Sequence, residues 1–302
     1  MQSKLFIYLA QLIAEKQLSE HTVRSYRKDI EDFFYWYAQS EQHRIDHRSM
    51  QYFIAYLNRK KMAPSSIARK LSALRQYFDF LIEQGVLQNN PAKGIKPPKR
   101  AKVLPKALSV DDINQLLDHP EQFFDLHNPL QQRDYAMLEL LYSTGLRVAE
   151  LASLDTHDID LSNGQATVIG KGNKERIVLI GSKAQRALKQ WLRMRSKVTN
   201  EKHFTNALFL NQRGKRLSVR GIQQHIKQIG QRFDLNLNLH PHMLRHSFAS
   251  HVLQSSGDLR AVQEMLGHSD ISSTQIYTHL DFQHLARVYD ETHPRAKKNN
   301  KK

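Results

Sequence analysis

The stretch that decides the fold is His157–Ile180, HDIDLSNGQATVIGKGNKERIVLI, because it carries the only convincing strand pattern in the chain. Turn residues occur at Asn163-Gly164 and again across 170–173. Before, between and after these turns, apolar residues recur at every second position. The three pairs are Ile159 and Leu161, Ala166 and Val168, and Ile177 and Leu179. Alternation of this kind, interrupted by turn residues, predicts a small antiparallel sheet of two hairpins.

Helical periodicity dominates on both sides of this sheet. After Pro64, apolar residues are spaced three or four positions apart, at Ile67, Leu71, Leu74, Phe78 and Leu81. This spacing predicts an amphipathic helix, and Gly85 is a suitable stop signal for it. Similar patterns precede residue 64 and follow residue 108. The fold class that we predict is therefore mainly α with one small antiparallel β-sheet.

The helical pattern is interrupted once, between residues 89 and 107. This segment contains NNPAKGIKPPKRAKVLP, in which four prolines and five basic residues leave little to bury. We therefore predict three parts of the chain: a helical bundle over 1–88, a Pro/Lys-rich linker over 89–107, and an α+β domain over 108–302.

The charge of the chain favours a polyanionic partner. The 302 residues include 45 Lys and Arg against 29 Asp and Glu, which leaves a net charge of +16. Nucleic acid is the first candidate partner for such a surplus, although a merely solubilising surface is the alternative. The candidate DNA-binding residues are the basic side chains of the bundle that lie off its apolar stripes, together with those of the linker: Arg24, Arg27, Lys28, Arg69, Lys70, Arg75, Lys96, Lys99 and Arg100.

Composition also excludes several classes of function. The chain contains no cysteine, so it has neither disulfides nor a thiolate nucleophile or metal ligand. No segment approaches the length of apolar sequence that a membrane span needs, and no signal-peptide cleavage site is evident. We expect a cytoplasmic protein that does not insert into membranes.

Four segments are rich in residues that can do chemistry: STGLRVAEL (143–151), IGKGNKER (169–176), HMLRHSFASH (242–251) and LGHSDISSTQIYTH (266–279). In the first, Arg147 and Glu150 share a helix face, so the carboxylate can orient the guanidinium. In the third, His242 and Arg245 place an imidazole and a planar guanidinium on one face, which suits a phosphate.

The other two segments are ambiguous when they are taken alone. Lys171 lies between two glycines that permit close approach of a ligand, but a basic surface turn explains it as well. Tyr277 has the position of an ordinary core residue of an amphipathic helix. No Walker, dinucleotide-binding or zinc-protease pattern is present, because Met243 stands where the protease motif needs a glutamate.

Together, in this order and spacing, the four segments resemble the signature of the tyrosine site-specific recombinases of the λ-integrase class. The likeness covers the whole chain and is greatest to the bacterial Xer branch. The ending VYDETHPRAK (288–297) favours its XerC-type members over the XerD type. The resemblance implies a SAM-like core-binding domain followed by a tyrosine recombinase catalytic domain.

The resemblance also implies a chemistry of the type IB topoisomerase kind. Tyr277 would attack a scissile phosphate and form a 3′-phosphotyrosyl bond, while Arg147 and Arg245 clamp the non-bridging oxygens. His242 and His268 would bond the same phosphate, with His242 a candidate base, and Lys171 would protonate the leaving 5′ oxygen. Glu150 would brace Arg147. Neither a metal nor ATP nor any other cofactor is required.

The biological role implied by the resemblance is the resolution of chromosome dimers at cell division. The substrate would be a short pseudo-palindromic site in double-stranded DNA, bound by a tetramer with a XerD-like partner under the control of a septal DNA translocase. Two alternatives stay open: a plasmid, phage or integron integrase with another target, and a non-catalytic DNA-binding regulator on the same fold.

Overall fold

A computed structural model describes residues 2–14, 20–42, 44–98, 108–170, 174–199, 205–233, 239–267 and 279–296. The chain divides into two compact units, Met1–Leu104 and Pro105–Lys302. Within the described residues, no helix combines the length and the apolar character that crossing a bilayer requires.

The described part of the first unit forms four α-helices: α1 (Leu5–Ala14), α2 (Glu20–Ala38), α3 (His47–Arg59) and α4 (Pro64–Glu83). The apolar stripe predicted after Pro64 is confirmed, since all five of its residues are fully buried in the core of the unit. Helix α4 ends just before Gly85, whose φ of +66° is a left-handed conformation that favours glycine.

Aromatic side chains form the centre of this bundle. The ring of Phe33 on α2 meets Phe53 on α3 and Phe78 on α4 edge to face, with ring centroids 5.1 and 5.8 Å apart. Such contacts add to the free energy that burial of the rings already provides. One residue of α2 thereby joins three helices of the unit.

The predicted linker begins inside the first unit. Ala92 and Ile95 are buried in the same core as the helices, where the sequence predicts little burial. Arg75 on α4 accounts for the difference, because its guanidinium donates to the carbonyl oxygens of both residues. A segment with few main-chain partners of its own is thus held by a side chain from the bundle.

The second unit contains the sheet and eight α-helices in its described residues. Its elements are α5 (Val110–Asp118), α6 (Pro129–Thr144), α7 (Val148–Ser153), β1 (Ile159–Asp160), β2 (Gln165–Ile169), β3 (Glu175–Leu179), α8 (Ser182–Arg195), α9 (Val219–Arg232), α10 (Pro241–Ser256), α11 (Leu259–Leu266) and α12 (His279–Thr292). Helix α6 is buried along most of its length. The strands pair antiparallel in the order β1-β2-β3, which confirms the predicted sheet of two hairpins.

One face of this sheet differs from the prediction. On β2, Ala166 and Val168 are buried as the alternation predicts. On β3, however, the buried residues include Arg176 and Val178, while Ile177 is 53% exposed. Residues paired directly across two antiparallel strands lie on the same face, and Val168 pairs with Arg176. The inner face of the sheet therefore carries an arginine.

The C-terminal helix packs on its own unit. Tyr289 on α12 is buried, and its hydroxyl donates to the carbonyl oxygen of Ser143 at 2.9 Å. Beyond α12, the buried guanidinium of Arg295 pairs with Glu139 and lies 2.7 Å from a carboxylate oxygen of Asp118. A buried charge is stable only when it is paired in this way, so these contacts hold the chain end against α6.

We predict that Gly145 and Gly257 differ in their tolerance of a side chain. Each follows the end of a long helix with a positive φ, +61° and +67° respectively. A Cβ at position 145 would lie 2.5 Å from a ring carbon of Phe248, whereas one at 257 would meet nothing within 4 Å. Gly257→Ala should lower the free energy of unfolding by roughly 1–2 kcal/mol. Gly145→Ala should lose about 1–3 kcal/mol more because of the clash.

Urea denaturation of both variants measures this difference. Equal losses of stability in the two variants would contradict the close contact between Gly145 and Phe248.

Candidate active site and DNA-binding surface

The site is built around the start of α7, where Arg147 is the capping residue and Glu150 lies in the first turn. Glutamate three residues after the helix start can bond back to the main chain of the capping residue. Here the Glu150 Oε2 atom accepts the Arg147 N–H at 2.8 Å, and the Arg147 Nη1 atom donates to Glu150 Oε1 at 3.0 Å. The predicted pairing of these two side chains is therefore present.

A second arginine binds the same carboxylate from the sheet. Arg176 on β3 donates from Nη1 to Glu150 Oε1 at 2.8 Å and from Nη2 to Glu150 Oε2 at 3.0 Å. Burial acts to raise the pKa of the Glu150 carboxyl, but the bonds and charge of Arg176, with those of Arg147, outweigh it and hold that pKa below its ordinary value. Glu150 is thus a buried carboxylate anion.

The other end of α7 is also fixed by an arginine. The Arg216 Nη1 atom donates to the carbonyl oxygens of Ala152, Ser153 and Leu154 at 2.8 to 3.0 Å. A cation at the C-terminal end of a helix satisfies carbonyl groups that the helix leaves unpaired and interacts favourably with its dipole. The short helix that carries Glu150 is therefore held at both ends.

Arg245 approaches this cluster from α10. Its Nη1 atom donates to the Gly145 carbonyl oxygen at 2.5 Å, and its Nη2 atom donates to the Leu266 carbonyl oxygen at 2.9 Å. The Arg147 Nη2 atom lies 3.5 Å from the carbonyl oxygen of the next residue, Gly267. Two guanidiniums from different helices therefore meet at the C-terminal end of α11.

The cluster has more positive than negative charge. Burial, and next the nearby charge of Arg147, lower the pKa of the Arg245 guanidinium to about 10. The charge of Arg176 also acts to lower the pKa of Arg245, whereas the charge of Glu150 acts to raise it. A bound anion would relieve this repulsion, and a phosphodiester has the charge and the oxygens to do so.

The first turn of α10 adds histidines. His240 precedes the helix, and its Nδ1 atom accepts the Met243 N–H at 3.1 Å, so it serves as a helix cap. His242 is exposed on the first turn, one turn before Arg245. An exposed imidazole at a helix N-terminus, next to a guanidinium of the cluster, is well placed to contact an anion.

Three of the predicted catalytic residues, Lys171, His268 and Tyr277, lie outside the described residues. The described neighbours of Lys171 and His268 belong to the cluster. Gly170, which precedes Lys171, donates its N–H to the Lys174 carbonyl oxygen at 2.8 Å and so closes the hairpin turn. Gly267, which precedes His268, is the residue whose carbonyl oxygen faces Arg147.

In the first unit, several of the predicted DNA-binding residues are on the surface. Arg24, Lys28 and Lys96 are exposed. Arg27 is exposed too, and its Nε atom lies 2.7 Å from Glu31 on the same helix. Of the linker residues that were also predicted to bind DNA, Lys99 and Arg100 lie outside the described residues.

The other three predicted DNA-binding residues of this unit have internal partners. Lys70 is only 3% exposed, and its Nζ atom lies 2.9 Å from Asp29 and 2.5 Å from Asp32. The prediction that Lys70 binds DNA is therefore wrong, because a side chain buried in an ion pair cannot reach a phosphate. Arg69 pairs with Asp29 and stays partly exposed, whereas Arg75 is occupied by main-chain carbonyl groups.

One group of possible metal ligands occurs among the described residues, at Asp155, His157 and Asp158. Its carboxylates already have partners. Asp158 accepts the Asp155 N–H at 2.8 Å, and Asp155 pairs with Arg216. The three residues therefore lie together because Asp155 and Asp158 cap a short helical turn.

Comparison with known proteins relates both units to one family. Residues 106–284 match the Phage integrase family, and residues 7–85 match the Phage integrase N-terminal SAM-like domain. Tyrosine recombinase XerC of Actinobacillus pleuropneumoniae is 48% identical over 294 residues, which cover 96% of this chain and 94% of the relative. Tyrosine recombinase XerC of Pseudomonas fluorescens is also 48% identical, over 99% of each chain.

Solved structures show the same fold at lower identity. The XerH site-specific recombinase bound to its palindromic difH substrate, in a post-cleavage complex, has a TM-score of 0.71 at 24% identity, covering 96% of this chain and 84% of that one. A lambda integrase dimer bound to a COC′ core site has a TM-score of 0.67 at 17% identity, covering 89% and 95%.

We predict that Lys28 and Lys70 differ in their effect on DNA binding. Each phosphate contact that is lost should reduce the slope of log affinity against log salt by about 0.9. Lys28→Ala removes an exposed charge and should show this reduction with an unchanged unfolding free energy. Lys70→Met should leave the slope as it is and destabilise the first unit by about 3 kcal/mol, because a buried ion pair is broken.

Fluorescence anisotropy on a duplex at several salt concentrations, with urea denaturation alongside, separates the two effects. A reduced slope for Lys70→Met would contradict the structural role given to this lysine.

Proposed function

This chain belongs to the phage integrase family and is a tyrosine recombinase, and on that premise we propose how it acts. It cuts and rejoins double-stranded DNA at a specific site through a covalent bond between Tyr277 and a 3′ phosphate. The observation that carries the proposal is that the guanidiniums of Arg147 and Arg245 meet at the carbonyl oxygens of Gly267 and Leu266, because two cations held side by side favour an anionic ligand.

The two arginines Arg147 and Arg245 bind the scissile phosphate. Each presents a planar fork, which matches the two non-bridging oxygens of a phosphodiester. Both are attached to rigid positions, Arg147 to Glu150 and Arg245 to the Gly145 carbonyl group. Fixed donors of this kind stabilise the charge that builds up on a pentavalent phosphorus without having to reorganise during the reaction.

The remaining proposed roles concern the atoms that exchange. The Tyr277 hydroxyl oxygen attacks phosphorus and forms a new P–O bond, while the bond from phosphorus to the 5′ oxygen breaks. Because a tyrosine has an ordinary pKa near 10, it needs a base when it attacks, and His242 accepts its proton while His268 bonds the phosphate. Lys171 donates a proton to the leaving 5′ oxygen. One phosphodiester replaces another, so rejoining needs neither ATP nor a metal.

We further propose that the substrate is a short pseudo-palindromic site and that the biological role is the resolution of chromosome dimers at cell division. The full-length similarity to XerC relatives supports this role. The protein would act in the cytoplasm, in a tetramer with a XerD-like partner and under a septal DNA translocase. A basic first unit with exposed Arg24, Lys28 and Lys96 would contribute phosphate contacts.

Formation of a covalent adduct tests the catalytic proposal. The site is first obtained by footprinting on genomic DNA, and a duplex of it is then nicked near the cleavage position so that the cut strand dissociates. We expect the wild-type protein to give an adduct that survives SDS and Tyr277→Phe to bind the same duplex without an adduct, since it has no nucleophile.

The alternatives predict other results. A wild-type protein that protects the site from nuclease but forms no adduct would be a non-catalytic regulator. A protected site that lies in a plasmid, a phage or an integron would indicate an integrase with a different target.

We predict that the defect of Lys171→Ala depends on the leaving group. A DNA alkoxide is a poor leaving group, so loss of the proton donor should slow cleavage by roughly 10²–10⁴-fold. A thiolate leaves more easily, because thiol pKa values lie near 8.5, and a substrate with sulfur at the 5′-bridging position should restore most of the rate. Arg245→Ala should stay slow on both substrates. Equal slowness of Lys171→Ala on the two substrates would exclude Lys171 as the acid.

A further inference from the structure

Arg176 lies at the centre of the arginine cluster, although it is not among the residues assigned to the reaction above. It is on the inner face of β3, and the residue is 8% exposed. Two parallel hydrogen bonds of 2.8 and 3.0 Å join its guanidinium to both oxygens of Glu150. This bidentate geometry is the strongest arrangement for an arginine and a carboxylate.

Two glycines enclose the Arg176 guanidinium. A Cβ built on Gly267 would lie 2.9 Å from the Arg176 Nε atom, and one on Gly170 would lie 3.3 Å from its Nη1 atom. The main chain of both segments therefore packs directly against the arginine. Gly170 precedes Lys171 and Gly267 precedes His268, so this one side chain touches the two turns that lead to these residues.

The Arg176 Nε atom is buried and has no hydrogen-bond partner among the described residues. An unpaired buried donor costs free energy. The guanidinium is thus held in its place by Glu150 and the glycine contacts, although its Nε atom has no partner in the part of the chain that the structure describes.

Sharing of Glu150 has a direct effect on Arg147. Arg176 uses both carboxylate oxygens, and Arg147 makes a single side-chain bond to one of them. Without Arg176, Glu150 Oε2 would still accept the Arg147 main-chain N–H, but neither oxygen would be bonded by Arg176, and the strong bidentate pair would form with the Arg147 guanidinium instead. Arg147, whose side chain is 38% exposed, would then turn its N–H groups toward Glu150 and away from a phosphate.

We propose that Arg176 is a positioning residue for DNA cleavage. It binds both oxygens of Glu150, so that Arg147 keeps N–H groups free for the scissile phosphate. This inference rests on the proposed function. Arg176 itself is assigned no contact with the phosphate, because its side chain is only 7% exposed and is held by Glu150 inside the unit, whereas that of Arg147 is 38% exposed.

A double-mutant cycle with Arg147 tests the inference. Arg176→Gln, Arg147→Ala and the double variant are compared in single-turnover adduct formation on the nicked duplex at saturating protein. Misplacement of a catalytic group by about 1 Å costs up to about 100-fold, so Arg176→Gln should slow cleavage by roughly 10- to 100-fold without weakening binding of the duplex. The double variant should be no slower than Arg147→Ala, because it lacks the Arg147 guanidinium that Arg176 positions.

A purely structural role predicts a different cycle. If the two losses multiply in the double variant, or if Arg176→Gln cleaves at the wild-type rate, the inference is overturned. Absence of an adduct with the wild-type protein would instead overturn the proposed function, so the two failures are distinguishable.

Arg133→Gln is a matched control. Arg133 is also a buried arginine of the second unit, with its Nη2 atom 2.6 Å from Asp134. Its loss should lower the melting temperature, and any slowing of cleavage should multiply with that of Arg147→Ala, because Arg133 has no contact with Glu150. A cycle for Arg133 that matches the one for Arg176 would contradict the specific role of Arg176.

Arg176→Lys provides a second test, also for the case that Arg176→Gln does not fold. Lysine keeps the positive charge but cannot bind both oxygens of Glu150 in a fork. It should therefore recover stability more completely than the cleavage rate. Full recovery of the rate by lysine would show that charge alone suffices and would overturn the bidentate mechanism.

Discussion

The rest of the site depends on one charged group, the carboxylate of Glu150. It is buried, and an unpaired charge there would cost several kcal/mol. Arg147 and Arg176 together supply enough hydrogen bonds to keep it ionised. In return, the carboxylate connects α7 with β3, so the helix that carries Arg147 and the hairpin that leads to Lys171 have a common anchor.

The same anchor leaves the cluster with unbalanced charge. The hydrogen-bond acceptors of Arg245 are carbonyl oxygens, and its burial, with next the charge of Arg147, lowers its pKa. Carbonyl groups satisfy the hydrogen-bonding capacity of a guanidinium but carry no full negative charge. Under the proposed function, a phosphodiester would supply that charge and meet donors that are already held in place. The repulsion within the cluster is therefore favourable for binding an anion, since binding relieves it.

The sequence predicts the elements of this protein better than it predicts which way they face. The stripe on α4 has a period that only one helix face can satisfy, and it is buried as predicted. Along β3 and just after it, by contrast, the four residues from Ile177 to Ile180 are all apolar. The sequence therefore does not show which of them face the core. Pairing with β2 decides which residues of β3 lie on the buried face of the sheet: Arg176 lies on it and Ile177 on the opposite face. Because strand pairing and not the local sequence places Arg176 on the buried face, Arg176 was not identified among the site residues.

Long-range partners explain the rest of what the sequence leaves open. Arg147 and Glu150 are one turn apart, so their pairing follows from helix geometry. The acceptors of Arg245 are the carbonyl groups of Gly145, just after α6, and of Leu266 in α11, which no local pattern identifies. Lys70 and Lys28 are both lysines in helices of the bundle, but only Lys70 has two aspartates of α2 within reach of its ammonium group.

Internal pairing also determines how the charge of the chain should be interpreted. Lys70 with Asp29 and Arg295 with Glu139 are buried ion pairs, and each removes one charge of either sign from the surface. Such pairs reduce the number of basic residues available to DNA without changing the net charge of +16. The surplus must therefore lie on the surface or in places such as the arginine cluster, where cations outnumber acids. Net charge, and not the count of lysines and arginines, is accordingly the better guide to the phosphate contacts that this chain can make.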